Sequence, residues 1–358
     1  MNNMLLKTKV NFTDIDEEVA IAYDYTLEGG VVTEVYTVPI DKLPKDFSCG
    51  LIVGQSGSGK STNLQTFGTG EIPTWDNNKS LASNFESYEE AKSKLHGCGL
   101  NSIKVWTQPY STLSTGQAYR ADMARSIKSG SVFDEFCSYL DKNTAKSLSN
   151  SIGKYIEAEG LKGVVFATCN SDIKEWLQPD WVFDCNTGEL QIRGCDRQRP
   201  KINLSLHPCS VQVWENFKNH HYLSADINKT SRCWVALWGE NMVGFYATLP
   251  QPSGTMKNAW RGTRMIVLPE FQGLGISTAM CEAVADIHLE SGKRFFAKTA
   301  SELLGGHREK SGKWKPTSKN RKKRWDYNND RKGKYSKEHL GRHAHRLCYS
   351  HEYLGEVL

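Results

Sequence analysis

Short hydrophobic runs alternate with helical segments in the first half of the chain. The runs are FSCGLIVG (47–54), GSVFDEF (130–136) and GVVFAT (163–168), and GKSTNLQTF opens a predicted helix directly after the first of them. Continuous apolar strands separated by helices are typical of a parallel sheet that is covered on both faces. The pattern therefore predicts an α/β domain in the first half.

The second half has a different pattern, and it begins after a junction at 191–210 that is rich in proline and mixed charge. An antiparallel hairpin is predicted by two apolar runs, RCWVALW and MVGFYATL, which flank the short turn GEN. The pattern then predicts a strand, a helix and a further strand, at 264–268, 276–292 and 293–300. We therefore expect two domains, 1–195 and 196–358, of which the second has a mixed α/β fold.

Composition excludes several classes of protein. The chain has 358 residues, of which 39% are hydrophobic, and this content argues against global disorder. No stretch approaches the roughly 20 apolar residues that a membrane helix requires, and the N-terminal residues lack the apolar run of a signal peptide. The ten cysteines are scattered without a CxxC pair. We therefore expect a reduced, cytoplasmic protein that does not bind membranes.

The segment GQSGSGKST follows the first predicted strand and matches the phosphate-binding pattern G-x-x-x-x-G-K-[ST]. Its glycines let backbone N–H groups surround phosphates, its lysine reaches the β- and γ-phosphates, and the next hydroxyl ligates Mg²⁺. The alternative is a glycine-rich turn without a ligand, which the position between a strand and a helix disfavours. The predicted ATP-binding residues are Gly54, Ser56, Gly57, Ser58, Gly59, Lys60, Ser61 and Thr62.

An acidic pair ends the second predicted strand. Asp134 is suited to hold Mg²⁺ together with Ser61, and Glu135 is suited to orient and deprotonate an attacking water. Acidic residues also occur at helix N-caps for structural reasons, but a position downstream of a phosphate loop favours the catalytic interpretation. ATP and Mg²⁺ are therefore expected ligands of the first domain.

The segment between these two motifs contains LSTGQ at 113–117, and SYLD follows the acidic pair at 138–141. With the phosphate loop, these motifs resemble the ATP-binding-cassette (ABC) ATPases. The resemblance implies that Ser114, Gly116 and Gln117 of one subunit cap the ATP bound to its partner, so that a homodimer closes over two ATP molecules. A serine hydroxyl and a helix N-terminus are suited to bind a γ-phosphate.

Two departures from the ABC pattern are visible in the sequence. Only about fifty residues separate Lys60 from Ser114, so the helical subdomain is expected to be reduced, and a transporter function loses support. The switch histidine that follows the third strand in that family is replaced by either Cys169 or Asn170.

A second glycine-rich turn, FQGLGIS, follows the predicted strand RMIVL. It fails the dinucleotide pattern G-x-G-x-x-G, because Thr278 occupies the third glycine position. It resembles instead the Q/R-x-x-G-x-G/A motif of the GCN5-related acetyltransferases (GNAT family), with Ser277 at the last small position. The alternative is a turn needed only for strand–helix packing.

The GNAT resemblance implies acetyl-CoA, or another acyl-CoA, as the cofactor of the second domain. Backbone amides that open a helix can bind the pyrophosphate, and the end of the preceding strand would pair with the pantetheine arm and polarise the thioester carbonyl. The predicted coenzyme-binding residues are Met265, Ile266, Val267, Gln272, Gly273, Leu274, Gly275, Ile276 and Ser277.

The second domain opens with Arg199-Pro200 and continues with Trp214, Phe217, His220, His221 and Tyr222. With these residues, nearly the whole chain resembles fusions of an ABC-type ATPase with a GNAT domain. About residues 200–358 are also similar to the phage Mom-like DNA-modification proteins. For the acceptor pocket, His221 is a candidate base and Tyr222 a candidate proton donor to the leaving thiolate; both are equally explained as buried, hydrogen-bonded residues. Tyr349 and Tyr353 are rival acids, and Ser301 is a candidate pocket hydroxyl.

The basic character of the chain is concentrated in the segment 307–346. Between Arg308 and Arg346 there are 15 Lys and Arg against four acidic residues, whereas the whole chain carries only +5. Cations interleaved with Trp314 and other aromatics are suited to bind phosphates and stack on bases; a solvated loop is the alternative. The predicted nucleic-acid-binding residues are Lys313, Lys315, Arg321, Lys322, Lys323, Arg324 and Trp325.

Three functions remain open at this point. The first is an ATP-gated, acyl-CoA-dependent transferase that modifies DNA or RNA. The second transfers the acyl group to a protein or small-molecule amine, and the third is an ATP-dependent nucleic-acid clamp with a degenerate acetyltransferase fold.

Overall fold

A computed structural model describes residues 3–194, 198–221, 226–251, 256–323 and 346–356. The chain separates into two compact units, Met1–Pro200 and Lys201–Leu358. Each unit combines helices with a β-sheet, and the predicted mixed α/β class is confirmed. In the described part of the chain, no helix has the length and apolar character needed to cross a membrane.

The first unit contains a central sheet and a separate hairpin. Its elements are β1 (Asn3–Lys9), α1 (Asp14–Tyr23), β2 (Gly30–Tyr36), β3 (Cys49–Val53), α2 (Lys60–Leu64), α3 (Tyr88–Gly97), α4 (Ile103–Trp106), α5 (Thr115–Ser126), β4 (Val132–Phe133), α6 (Lys142–Ala158), β5 (Val164–Thr168), α7 (Lys174–Leu177), β6 (Trp181–Asp184) and β7 (Glu189–Ile192). β1 pairs with β2. The central sheet has the order β4-β5-β3-β6-β7, in which β7 alone runs antiparallel to its neighbour.

The predicted buried strands are present, but one is shorter than expected. Every residue of β3 and β5 is buried, as continuous apolar runs require. The run predicted at 130–136 forms only the two-residue strand β4. The chain turns after Phe133 because Glu135 has a left-handed backbone with φ 51°, which a strand cannot contain.

Close packing of Trp181 fixes the centre of this sheet. A Cβ atom at Gly50 would lie 2.1 Å from the Trp181 ring, so only glycine fits at that position. The Trp181 ring stacks on Phe67 with 5.4 Å between centroids. Asp180 Oδ2 accepts hydrogen bonds from the Ser48 and Cys49 backbone N–H groups at 2.6 and 2.9 Å, which aligns the start of β3.

The second unit is built on one continuous sheet. Its elements are β8 (Leu204–Cys209), β9 (Arg232–Trp238), β10 (Asn241–Pro250), β11 (Ala259–Val267), α8 (Ile276–Glu290), β12 (Arg294–Thr299), α9 (Glu302–Lys310), β13 (Trp314–Pro316), β14 (Lys322–Lys323) and β15 (Leu347–Tyr353). The strand order is β13-β15-β12-β11-β10-β9-β8, and β14 pairs with β15. Only the β11–β12 pair is parallel among these pairings of described residues.

Alternating side chains of this sheet contribute to two hydrophobic clusters. Trp234, Val267 and Phe295 pack with α8 on one face. Phe245 and Ile266 pack with other apolar residues on the opposite face, because neighbouring residues of a strand point to opposite sides. The sheet is thus covered on both faces.

Candidate functional site

The phosphate-binding pattern forms a loop between β3 and α2. Gly57 and Gly59 have left-handed backbones with φ of 79° and 88°, which glycine adopts without strain. Lys60 is 5% exposed, and its Nζ donates a 2.8 Å hydrogen bond to the Gln55 carbonyl across the loop. The Gln55 N–H donates in turn to Asn186 Oδ1 at 3.1 Å. The loop is therefore closed around the lysine amine and held by a side chain that follows β6.

The hydroxyls of the loop occupy different environments. Ser56 and Ser61 are exposed, and Thr62 is half-buried. The Ser58 hydroxyl is buried without a hydrogen-bond partner among the described residues; a Cβ at Gly54 would lie 2.3 Å from its oxygen. Ser61 is thus free to face solvent as a ligand of a hydrated cation, and Gly54 is required for packing of Ser58.

Asn63 supports the loop from the side of β2, although no sequence motif predicts this role. This side chain is 1% exposed. Its Oδ1 accepts from the Val38 N–H at 2.8 Å, and its Nδ2 donates to the Tyr36 and Gly59 carbonyls at 2.8 and 3.0 Å. Asn63 therefore fixes the end of β2 to the loop. The only sequence signal was its place next to the motif.

The acidic pair lies at the carboxyl end of β4, and both residues are exposed. Asp134 Oδ1 accepts from the Glu135 N–H at 2.8 Å. Glu135 Oε2 accepts from Ser138 Oγ at 2.6 Å. A left-handed backbone costs free energy for a residue other than glycine and is found mostly where function requires a particular orientation. Because β3, β4 and β5 are parallel, this pair and the phosphate loop lie at the same edge of the sheet.

The two candidates for the switch position have separate roles. Cys169 Sγ lies 3.9 Å from Glu135 Oε2. The Asn170 side chain instead accepts from the Asp172 N–H at 3.1 Å and caps the 3-10 turn Ser171–Ile173. Of the two side chains, that of Cys169 contacts the acidic pair.

The signature segment begins α5. Ser114 is the exposed N-cap of this helix, and its N–H donates to Gln117 Oε1 at 3.1 Å in a capping box. A Cβ at Gly116 would lie 3.0 Å from Leu140 of the SYLD segment. The signature residues thus combine an exposed helix N-terminus with close packing against the segment that follows the acidic pair.

In the second unit, β11 and β12 diverge. Their pairing covers only Ala259, Trp260 and Arg261 of β11, although β11 continues to Val267. A register shift against β10 at Ala247/Thr248 accompanies the divergence. In the described part of the chain, the stretch of β11 that contains Met265, Ile266 and Val267 therefore forms no strand pairing with β12. A cleft between two parallel strands can accept an extended chain as a substitute strand.

The second glycine turn lies at the end of this cleft. Gln272 Nε2 donates to the Val267 carbonyl at 2.8 Å and ties the turn to β11. Gly273 and Gly275 have φ of 86° and 81°. Gly275 is the N-cap of α8, and a Cβ there would meet no atom within 4 Å. The start of this 15-residue helix, with Ile276 buried and Leu274 and Ser277 half-buried, is thus open on the side of Gly275.

The acceptor-pocket candidates that the structure describes have separate structural roles. His221 is buried and packs edge-on against Trp214 on the Phe245 face of the sheet, with 5.6 Å between centroids. Ser301 Oγ caps α9 by accepting from the Leu304 N–H at 3.4 Å. Tyr349 is buried beneath α9, where a Cβ at residue 305 would lie 2.2 Å from its ring.

Two candidate proton donors remain, Tyr353 and Tyr222. Tyr353 is 2% exposed, and burial raises the pKa of its hydroxyl, so this side chain keeps its proton. Tyr222 lies outside the described residues.

The described basic residues fall into two groups. Lys313 lies 3.6 and 3.5 Å from Glu282 and Glu356, and Arg321 binds Glu309 through two hydrogen bonds of 2.9 and 2.6 Å. Three further lysines predicted to bind nucleic acid, Lys315, Lys322 and Lys323, have exposed side chains.

Trp314 is 5% exposed, so the expectation that it stacks on bases is wrong: its ring packs under Arg308. Arg324 and Trp325 lie outside the described residues.

Residues 198–306 match the model of the Acetyltransferase (GNAT) family. Among solved structures, the chain is similar to a dimeric bacterial ABC transporter cassette (19% identity, 42% of this chain and 89% of that chain, TM-score 0.33). It is also similar to the IAA acetyltransferase from Bacillus cereus (14%, 42% and 99%, TM-score 0.30) and to a Bacillus subtilis acetyltransferase in complex with CoA (13%, 44% and 100%, TM-score 0.29). The comparison with curated proteins found no match.

Proposed function

We propose, from the premise that residues 198–306 form a GNAT-family acetyltransferase domain, that this chain is an ATP-dependent transferase of acyl groups from acyl-CoA to nucleic acid. The observation that carries the proposal is the cleft between β11 and β12, which ends at the open N-terminus of α8. The first unit contributes a phosphate loop with a buried lysine and an adjacent acidic pair.

The cleft fits the shape and charge of coenzyme A. The backbone of Met265–Val267 would pair with the pantetheine arm, and the amides at the start of α8 would bind the pyrophosphate by hydrogen bonds and by the helix dipole. Gly275 leaves room for a phosphate because it has no side chain over the helix start. When bound, the coenzyme supplies the activated thioester.

In the first unit, the residues fit ATP with Mg²⁺. Lys60 can exchange its hydrogen bond to the Gln55 carbonyl for contacts with the phosphates. The exposed Ser61 hydroxyl and Asp134 can hold the hydrated cation. Glu135 can take a proton from the attacking water. The described residues contain no cluster of three His, Cys, Asp or Glu side chains that would hold a metal ion in the absence of nucleotide. This agrees with a cation that is bound largely through the phosphates of the nucleotide. Ser114 would act on the ATP of a second copy, so ATP would close a homodimer.

The acceptor is inferred from charge. Lys315, Lys322 and Lys323 are exposed on the edge formed by β13 and β14, and the surrounding sequence is strongly basic. Such an edge is suited to bind a phosphate backbone. The pairing of Lys313 and Arg321 with carboxylates reduces the positive charge that they offer to a phosphate backbone. An amine on a protein or small molecule is therefore the second candidate acceptor.

Coenzyme binding is tested by calorimetry with acetyl-CoA on the full chain. Gly275→Glu places a carboxylate and a side chain at a left-handed position beside the pyrophosphate, so binding should be lost. Gly292→Glu is a matched control, because Gly292 is also left-handed (φ 69°) with open space around it but lies at the opposite end of α8. Equal affinity of both variants would overturn the coenzyme site.

The acceptor is tested by mass spectrometry of DNA and tRNA nucleosides from cells that express the protein. An acylated nucleoside should appear with the wild type and disappear with Gly275→Glu and with Lys60→Ala. Replacing Lys315, Lys322 and Lys323 by Ser should weaken salt-sensitive binding of nucleic acid, whereas replacing Lys201, Lys229 and Lys257, which are exposed elsewhere on the same unit, should not. Unmodified nucleosides together with acylated protein would establish the second candidate.

A further inference from the structure

Two cysteines face each other across the paired strands β8 and β9. Cys209 ends β8, Cys233 is the second residue of β9, and the antiparallel register places them directly opposite each other. Directly opposite residues of an antiparallel pair have Cα atoms about 4.5 or about 5.5 Å apart, according to their hydrogen bonding. Both values lie within the range of about 4.4–6.8 Å that a disulfide bond spans. The backbone therefore brings the two cysteines within reach of a covalent bond.

Both cysteine side chains lie on the same face of the sheet. Cys233 belongs to the hydrophobic cluster around Phe245, and Cys209 packs against that cluster. Trp234, which follows Cys233 in β9, belongs to the cluster on the opposite face, as the alternation of side chains along a strand requires. Side chains of directly opposite residues that share a face are within contact range. The two sulfur atoms are therefore neighbours on the Phe245 face.

The two thiols are free and differ in access to solvent. Cys209 is half-buried, whereas Cys233 is 4% exposed. Burial and then the neighbouring Cys233 thiol raise the pKa of Cys209 to about 11, and burial raises the pKa of Cys233 to about 11. A dithiol protein is a strong oxidant when it stabilises its reduced form, and this pair has no such stabilisation of a thiolate. The equilibrium therefore favours the disulfide, although the small thiolate fraction makes the first attack on an oxidant slow.

The chain between the two cysteines carries a candidate acceptor residue. Residues 210–232 connect β8 to β9, and their described part begins with the 3-10 turn Val211–Asn216 and includes His221. Trp214 and Phe217 pack in the hydrophobic cluster that both cysteines contact. A covalent bond at the base of this segment closes it into a loop, which removes open conformations in which the ends of β8 and β9 separate.

We infer that Cys209 and Cys233 are a reversible redox pair, and that its oxidation by a small-molecule disulfide fastens the segment that carries His221. Cys209 gives its proton to solvent and attacks one sulfur of glutathione disulfide, whose S–S bond breaks, and one glutathione leaves as a thiolate. Cys233 then gives its proton to solvent and attacks the Cys209 sulfur, which forms the protein disulfide and releases the second glutathione. Two protein thiols are oxidised, and one glutathione disulfide is reduced to two thiols.

The wild-type full chain tests the inference without any substitution. The reduced protein is incubated with glutathione disulfide until its composition no longer changes, free thiols are blocked with N-ethylmaleimide, and the digest is analysed by mass spectrometry. The folded protein should yield a peptide pair linked between Cys209 and Cys233, which dithiothreitol separates into two thiol peptides. The same treatment in concentrated urea should show no preference for this pair, because the strand register is lost. Free Cys209 and Cys233 in the folded protein, or glutathione bound to Cys209 beside a free Cys233, would overturn the inference.

Two variants separate this pair from the other cysteines. Cys233→Ser should keep glutathione on Cys209, since the opposite thiol that would displace it is gone. Cys169→Ser, which removes an exposed cysteine of the first unit, should leave the yield of the linked peptide unchanged. A disulfide between Cys209 and another cysteine of the folded Cys233→Ser protein, formed as readily as in the wild type, would contradict the argument from strand register.

Hydrogen exchange measures whether oxidation fastens the segment. In the oxidised wild-type protein, exchange of the amides of Val211–Asn216 and His221 should slow roughly tenfold or more. Glutathione disulfide should not slow these amides in Cys233→Ser. Equal exchange in the fully oxidised and the reduced wild-type protein would overturn the link between the disulfide and the segment. These measurements need neither coenzyme nor acceptor, so their failure is distinct from a failure of the proposed transferase function.

Discussion

Acidification should destabilise the second unit through His288. This residue of α8 is 1% exposed; its Nε2 lies 3.1 Å from Thr248 Oγ1. Its ring stacks between Trp260 and Phe295, at 4.9 and 5.3 Å between centroids. Burial first, and then the charges of Lys293 and Arg232, lower its pKa from 6.5 to about 4.

The sign and size of the effect follow from proton linkage. An unfolded chain has the ordinary pKa of 6.5, so the unfolded state binds more protons than the folded state as pH falls from 6.5 towards 4. Stability is therefore complete above the unfolded pKa and is lost progressively below it. Between about pH 7.5 and about pH 5, the free energy of unfolding should fall by about 2 kcal/mol through this group.

Hydrogen exchange in a urea titration measures this free energy for the second unit, through the slowest amides of β10, β11 and α8. Carboxylates and other histidines titrate over the same range, so the informative quantity is the difference from His288→Gln, which cannot take up a proton. The variant should lose about 2 kcal/mol less than the wild type on acidification. His220→Gln, at an exposed position of the same unit, is the control. An equal loss in the wild type and His288→Gln would refute the argument.

Three further predictions concern the first unit. Glu135→Gln should reduce ATP hydrolysis, measured by phosphate release, roughly a hundredfold or more, while ATP binding, measured by calorimetry, persists. Glu189→Gln, which changes an exposed acid of β7, is the control. Hydrolysis by Glu135→Gln at the wild-type rate would remove Glu135 from the mechanism. Asn63→Ala should lower the free energy of unfolding by about 2–4 kcal/mol, because it leaves the buried Val38 N–H and the Tyr36 carbonyl unpaired, and it should weaken ATP binding. Urea unfolding should show a much smaller loss of stability for Thr66→Ala. Similar losses in the two variants would contradict the role of Asn63. Gly50→Ala should lower the free energy of unfolding by about 3 kcal/mol, because the new methyl group overlaps the Trp181 ring. Gly160→Ala, at an open left-handed position, should lower it less. A soluble Gly50→Ala variant with wild-type stability in urea would contradict the close packing of Trp181 against Gly50.

The glycine-rich loop between β3 and α2 was predictable because its motif consists of consecutive residues. The strands β3 and β5 were also predictable, since they are fully buried and apolar. The end of β4 was not, because the left-handed turn at Glu135 depends on contacts with distant residues: the Phe136 N–H donates to the Ala167 carbonyl at 2.7 Å, and Thr168 Oγ1 donates to the Phe136 carbonyl at 2.7 Å.

Side-chain roles were harder to predict wherever partners are far apart in sequence. Periodicity cannot distinguish an exposed tryptophan from one that packs under an arginine, so Trp314 was assigned to the wrong environment. The divergence of β11 from β12 depends on pairing register, which the pattern of RMIVL does not contain. Cys209 and Cys233 lie opposite each other only through the register of β8 with β9, and no motif links them.

The two glycine-rich turns illustrate how similar backbones can support different chemistry. Both place left-handed glycines before a helix, which exposes backbone amides to a phosphate. The first turn adds a buried ammonium group from Lys60 and lies at the same sheet edge as Asp134 and Glu135, so it can neutralise charge that develops when a phosphate bond breaks. At the second turn, the motif itself has no cation, and α8 begins at a bare glycine. That turn is suited to hold a phosphate group that stays intact, and under the proposed function the reacting bond would lie farther along β11. The loss of Lys60 should therefore abolish turnover of a nucleotide, whereas Gly275→Glu should abolish binding of the coenzyme and leave nucleotide turnover intact.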